Sequence, residues 1–329
     1  MTASAPELDV LLPKLAQLRG AVAQAIVGQQ DVVEQLLVGL LAGGHCLLEG
    51  APGLGKTLLV RSLGQALALD FRRVQFTPDL MPGDIIGTEV LEEDPASGRR
   101  AFRFQPGPVF TNLLLADELN RTPPKTQAAL LEAMGERTVS YAGTTHTLPR
   151  PVFVLATQNP IEQAGTYPLP EAQLDRFLLH VRVDYPSADE EMQILAQTCG
   201  TAAGAVPQVM DAAELIALQA ATRQVHLGPD LLAWATALVR ATRPGADAPP
   251  RINHWVQWGA GPRAGQSLVL AAKARALLHG RLAVTREDIS TLAAPVLRHR
   301  LLLGFNAEAE QVGADAVVAA LLADVPHPN

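Results

Sequence analysis

Eight residues near the start of the chain restrict its fold more than any other stretch. Gly50-Ala51-Pro52-Gly53-Leu54-Gly55-Lys56-Thr57 matches G-x-x-x-x-G-K-[ST]. The apolar run His45–Leu48 precedes it and a helical pattern over 57–69 follows it, with Leu58 in the first turn. That order, strand then glycine turn then helix, is the one in which the motif has a physical meaning. Glycines at 53 and 55 permit backbone conformations closed to residues with a Cβ, so successive N–H groups can face phosphate oxygens. The helix N-terminus adds a field that favours an anion. Lys56 is then expected to reach β- and γ-phosphates, and the Thr57 hydroxyl to ligate Mg²⁺. A chance glycine turn would carry the same letters, but not the flanking strand and helix.

The strand–helix alternation continues. Strands are expected at 73–76, 109–116, 151–157 and 179–183, with a short helix over 127–134 between the second and third. Apolar strands alternating with helices predict an α/β core, a parallel sheet between helices. Helices are also expected over 7–25 and 31–41, the second capped by Asp31 with Glu34 as its capping-box partner. Two segments break the rhythm and read as exposed hairpins, 84–104 with a polar tip at 94–100, and 135–150 turning at Ala142-Gly143. After Tyr185-Pro186 strand signals stop. Helices are expected over 189–199, 211–223, 229–241, 263–279 and 286–301, with Thr285 and Asp288 as a capping pair and 243–253 as a Pro/Gly-rich link. The chain thus divides into a core over 1–186 and an all-helical domain over 187–329.

Chemistry gathers at strand ends. The run Leu113-Leu114-Leu115-Ala116 delivers Asp117 and Glu118 to its C-terminal edge, where ligands bind in open α/β sheets. Asp117 is expected to hold Mg²⁺ and Glu118 to activate the attacking water. Standing alone, this would be an ordinary acidic pair ending a strand. Asn159 follows the 151–157 strand and can position water opposite Glu118, or simply begin a turn with Pro160. Arg176 is open to two readings: a salt bridge to Asp175 or a neighbouring helix, or a cation supplied to another subunit's γ-phosphate. Arg263, at the start of an Ala-rich helix, either meets nucleotide across the domain cleft or caps a helix surface.

Composition excludes other classes. Lys and Arg number 26 against 33 Asp and Glu, a net charge of −7, which argues against a general nucleic-acid binder. Hydrophobic residues at 48% and charged residues at 18% exclude a disordered chain. The longest apolar runs fall far short of the roughly 20 residues that cross a bilayer, so no membrane insertion is expected. The first ten residues, MTASAPELDV, lack a basic region followed by an apolar stretch, and Cys46 and Cys199 are the only cysteines; a reduced, cytoplasmic protein is expected. His45, His146, His226, His254, His279 and His299 show no metal-ligand spacing and read as packing or surface residues. Trp234, Trp255 and Trp258 are expected to pack together, with 255 and 258 sharing a helical face. Tyr141 and Phe102 on the hairpins are candidate client contacts.

Taken in order, these motifs make the chain resemble P-loop ATPases of the AAA+ superfamily, and within it the MoxR family, over roughly 8–305. The stretch from Ala116-Asp117-Glu118-Leu119-Asn120-Arg121-Thr122-Pro123-Pro124-Lys125-Thr126-Gln127 to Met134 carries most of the resemblance. Val27-Gly28-Gln29, Gln75-Phe76-Thr77-Pro78-Asp79-Leu80, Ala156-Thr157-Gln158-Asn159-Pro160 and Tyr167-Pro168 through Leu174-Asp175-Arg176-Phe177 add to it. The resemblance implies that Gly50–Leu58 bind ATP or ADP with Lys56 and Thr57 as Walker A, and Asp117 and Glu118 as Walker B. It implies Asn159 as sensor 1, Arg176 as an arginine finger acting in a neighbouring subunit, and Arg263 as the sensor 2 arginine of a helical lid acting in its own. Gly261 stands where family members often have Ser, and Arg121 is a second candidate at the subunit boundary. The resemblance further implies a hexameric ring, chaperone-like remodelling of a protein client, and a von Willebrand factor A domain partner. The rival readings are a nucleotide switch with negligible hydrolysis, a DNA-acting motor and a small-molecule kinase.

Overall fold

The computed structural model describes residues 5–51, 53–93, 100–160, 165–198 and 206–327. Pro52, the hairpin tip over 94–99, Cys199 and the last two residues lie outside them. Helices α1 (Ala5–Ala25) and α2 (Gln30–Ala42) lead into β1 (Cys46–Gly50), α3 (Lys56–Ala66) and β2 (Phe71–Gln75). The short α4 (Pro82–Ile86) then opens a ribbon of β3 (Gly87–Glu93) and β4 (Arg100–Pro106). After β5 (Leu113–Asp117) and α5 (Pro124–Glu136) comes a second ribbon, β6 (Thr138–Tyr141) and β7 (Thr144–Thr147). β8 (Phe153–Gln158), α6 (Glu171–Leu174) and β9 (Leu179–Val183) complete the core.

Five strands form one parallel sheet in the order β2-β5-β8-β1-β9. Strand period sorts their side chains onto two faces. Cys46, Leu48, Leu113, Leu115, Phe153 and Leu155 join one apolar cluster with α1, α2 and α3. Leu47, Leu114, Ala116, Val154 and Ala156 join the other, with Phe76, Leu130, Leu131 and Phe177. Burial on both faces is what makes the central strands β5 and β8 read as continuous apolar runs.

The C-terminal part consists of α7 (Ala188–Thr198), α8 (Ala212–Gln224), α9 (Pro229–Ala241), α10 (Pro250–Trp255), α11 (Pro262–Leu278), α12 (Arg286–Leu297), α13 (Phe305–Ala309) and α14 (Ala314–Asp324). It is not wholly helical: β10 (Val256–Trp258) pairs antiparallel with β11 (Leu302–Leu303). That strand also undoes the expected tryptophan cluster. Trp234 is buried, whereas Trp258 is 74% exposed and the Trp255 ring N–H is bonded to Glu310. The change of character after 186 is no break in packing, because the cluster on the α2 side of the sheet continues through Leu215, Leu238, Leu268, Leu277 and Leu292.

Capping was legible at one helix and not at the other. Thr285 and Asp288 form the expected box on α12. At α2 the cap is Gln29, in a left-handed conformation, and its side chain makes no capping bond to the helix. Glu34 turns instead to Arg275 on α11, 2.8 Å away.

Candidate active site

The phosphate loop closes the C-terminal end of β1. Gly53 and Gly55 have φ of 85° and 74°, and a Cβ at either would touch nothing within 4 Å, so the demand for glycine there is conformational. Gly50 is needed for space: a Cβ would stand 2.6 Å from the Val183 carbonyl oxygen of β9. Gly55 caps α3 without a side chain, leaving the N–H groups of the first turn facing the loop. Lys56 donates to the Gly50 carbonyl at 2.5 Å. Burial pulls its ammonium below the ordinary lysine range, against the opposing pull of Asp117 and Glu118.

A cavity of about 400 Å³ lies against this loop, lined by Gly53–Thr57 together with Arg73, Gln75, Asp117, Glu118, Thr157 and Asn159. The sheet order explains the gathering. β8 lies between β1 and β5, and parallel strands end at the same edge, so Asp117 at the end of β5, Glu118 just after it and Asn159 just after β8 gather there. Asp117 accepts from Thr157 Oγ1 at 2.6 Å and from Arg73 Nη2 at 2.6 Å. Glu118 has φ 57° and ψ 48°, a left-handed backbone unusual for a residue with a Cβ. Its N–H donates to Thr157 Oγ1 at 2.8 Å, and its Oε2 accepts from Gln75 Nε2 at 2.6 Å and faces Arg121 Nε at 3.1 Å. Asn159 is 7% exposed.

Arg73, Gln75 and Thr157 escaped the reading from sequence. Their signal was positional: Gln75 ends β2 and Thr157 is the penultimate residue of β8, so both stand at the ligand edge. The Thr57 hydroxyl and the Asp117 carboxylate line one cavity and are hard oxygen donors, and Asp117 already neutralises a cation, Arg73; this donor set fits Mg²⁺. A second cavity, of about 630 Å³, is lined by Gln29, Gln30, Tyr185, Pro186, Arg298 and Asp315 among others. Gln29 Nε2 ties it to the phosphate loop through the Leu54 carbonyl at 3.3 Å.

Arg176 and Arg263 stand elsewhere. Arg263 Nη1 is 3.6 Å from Asp175 Oδ2, and Arg176 Nη1 donates to the Leu131 carbonyl at 2.6 Å. The salt bridge to Asp175 is made by Arg300 and Arg263, whereas Arg176 bonds to the Leu131 carbonyl. Residues 175–178 precede β9, and the Leu178 N–H bonds to the His45 carbonyl just before β1. That is the sheet edge opposite the phosphate loop, roughly 13 Å away at strand rise. Arg263 thus pairs with Asp175 and is not among the residues that line the phosphate-loop cavity.

The descriptor "ATPase family associated with various cellular activities (AAA)" belongs to a family model that matches residues 45–179, and an AAA lid domain model matches 250–321. Chaperone MoxR1 of Mycobacterium tuberculosis is 44% identical over 94% of this chain and 81% of its own length. Protein MoxR of Paracoccus denitrificans is 34% identical over 92% of this chain and 93% of its own. A crystal structure of a proposed ATPase from Cytophaga hutchinsonii superposes with a TM-score of 0.91 at 37% identity, covering 98% of each chain. With its parallel core, phosphate loop and acidic strand end, the chain belongs to the MoxR family of AAA ATPases.

Proposed function

We propose that the protein hydrolyses ATP with Mg²⁺, and that each active site is completed by a neighbouring copy in a hexameric ring. The observation that carries this reading is the division of the cationic residues between the two sheet edges. Lys56, with Thr57, Asp117, Glu118 and Asn159, lines the cavity at one edge. Arg176 and Arg263 lie beside Asp175 at the other. The base and ribose would occupy the cavity of Gln29, Tyr185 and Arg298, with Gly50–Leu58 around the phosphates. Bound Mg²⁺, held by Thr57 and Asp117, would neutralise phosphate charge. Glu118 would accept a proton from water that Asn159 orients, and Arg176 and Arg263 of the next copy would offset the charge that develops.

The core over 1–186 and the lid over 187–329 would then rotate against one another as phosphate contacts are lost, moving the two ribbons. A protein client, remodelled in a chaperone-like manner, and a von Willebrand factor A domain partner complete the proposal, with the cytoplasm as its place. Among the described residues no helix is long and apolar enough to cross a membrane. The acidic balance lends no support to a nucleic-acid partner.

The test is steady-state ATP hydrolysis per chain over a wide range of protein concentration, with Arg176→Ala in parallel. Activity that rises with concentration and is lost in the variant is the expected result. A flat profile untouched by the variant would leave an ATPase complete in one chain. Tight ATP binding with no turnover would leave a nucleotide switch.

A further inference from the structure

The segment that carries Arg176 is held from the lid. Arg300 belongs to the 3-10 turn 298–300 that follows α12, and only 3% of its side chain is exposed. Its guanidinium is aimed at one stretch of backbone. Nε donates to Asp175 Oδ1 at 2.7 Å, Nη2 to the Phe177 carbonyl at 2.7 Å and the Asp175 carbonyl at 3.3 Å, and Nη1 to the Leu178 carbonyl at 3.4 Å. The Val296 carbonyl takes the remaining N–H of Nη1, and Ser267 Oγ shares the Nη2 donors at 3.2 Å. His299 Nε2 donates to the same Phe177 carbonyl at 3.1 Å. The other oxygen of Asp175 faces Arg263. One carboxylate therefore touches a buried lid cation and an exposed lid cation, and the next residue in the chain is Arg176.

Packing alone does not call for this arrangement. A buried guanidinium is costly unless every donor is met, and an apolar side chain would fill the same space at less cost. What a planar fork of five N–H donors supplies is a fixed geometry for the groups it binds. We propose that Arg300 and Asp175 are positioning residues that set where Arg176 and Arg263 stand for the neighbouring copy's nucleotide. The inference rests on the proposed reading of Arg176 as a cation given to that neighbour. It makes a directional demand: Asp175 matters on the chain that gives the arginine and not on the chain that receives it.

The experiment mixes two inactive chains. Lys56→Ala cannot use its own nucleotide but still presents Arg176; Arg176→Ala keeps its nucleotide site but presents nothing. Their mixture is expected to recover hydrolysis that neither shows alone. Asp175→Asn, which keeps an oxygen for Arg300, is then placed on one chain or the other. On the Lys56→Ala chain it is expected to lower the recovered rate by about 10-fold to 100-fold, the scale of a small misplacement, and on the Arg176→Ala chain by less than about twofold. Arg300→Lys, which keeps the charge and loses the fork, should show the same asymmetry. Melting temperatures and ATP binding of each double variant report folding separately. Equal losses in both placements, or losses in neither, would overturn the proposal. Absence of recovery in the parent mixture would remove the trans reading itself, and the positioning role with it.

Discussion

Glu118 is held in a backbone conformation that costs a residue with a Cβ on the order of 1–2 kcal/mol, and such strain concentrates where function demands it. Thr157 fixes its N–H, and Gln75 and Arg121 hold its carboxylate at the cavity wall. Glu118→Gln is expected to lower turnover by about 10²- to 10⁴-fold while nucleotide affinity is retained, measured by single-turnover hydrolysis beside equilibrium binding. His45 carries a different consequence. Burial lowers its pKa to about 4; its Nδ1 accepts from the Val154 N–H, and its Nε2 donates to the Met134 carbonyl. The unfolded chain binds this proton near pH 6.5, so stability is full above that pH and falls as pH drops towards 4, by up to about 3 kcal/mol. Urea midpoints measured from pH 7.5 to 4.5 should therefore decline, and less steeply in His45→Gln. Lys56, Thr57, Asp117 and Glu118 were legible because their meaning depends on neighbours a few residues away. Arg73 and Gln75 were not, because theirs depends on which strand lies beside β2.

Among the elements, the two ribbons are joined by their rings. Phe104 of β4 stacks on His146 of β7 with centroids 4.0 Å apart, and Tyr141 and Phe110 stand against Phe104 at 5.8 and 5.7 Å. Tyr141 is thus a strut between ribbons, whereas Phe102 and its cross-strand partner Leu91 point outward, 69% and 54% exposed. Phe104→Ala is expected to cost about 1–3 kcal/mol in thermal unfolding and to loosen both ribbons together, read as faster amide exchange over 87–93 and 138–147. The ribbons themselves were legible from alternation and from Ala142-Gly143, and the β9 strand from Leu179, Val181 and Val183 at every second position. The link over 243–253 hid α10, whose two flanking prolines start it and do not break it. β10 and β11 were hidden more deeply: each is three residues or fewer, and neither has a pattern apart from its partner.

Across the whole molecule, the lid is tied to the core by buried charge. Asp288, fully buried, accepts from Arg275 at 2.8 Å and from Arg281 at 2.6 and 2.7 Å, and Arg275 reaches back to Glu34 on α2. Those partners hold the Asp288 carboxyl below its usual range despite its burial. Asp288→Ala, which takes from two guanidinium groups the one buried carboxylate they share, is expected to cost about 3 kcal/mol in denaturant unfolding. The cost should fall on core and lid together, since one apolar cluster spans both. No periodicity could reveal a pair 241 residues apart, whereas the order of strands and helices followed from local pattern alone. The opposite placement of the phosphate loop and the Asp175–Arg176 segment has an arithmetic of its own. In the proposed ring each chain would have a front and a back, as a domino has two numbers, and a fault at one end would be felt by a different neighbour than a fault at the other. In a cell making intact and Arg176-less copies together, inactive sites would belong to chains whose own sequence is sound. Such an allele would be dominant over the intact one, and its harm would grow faster than its share of the pool wherever sites around the closed assembly must fire in turn.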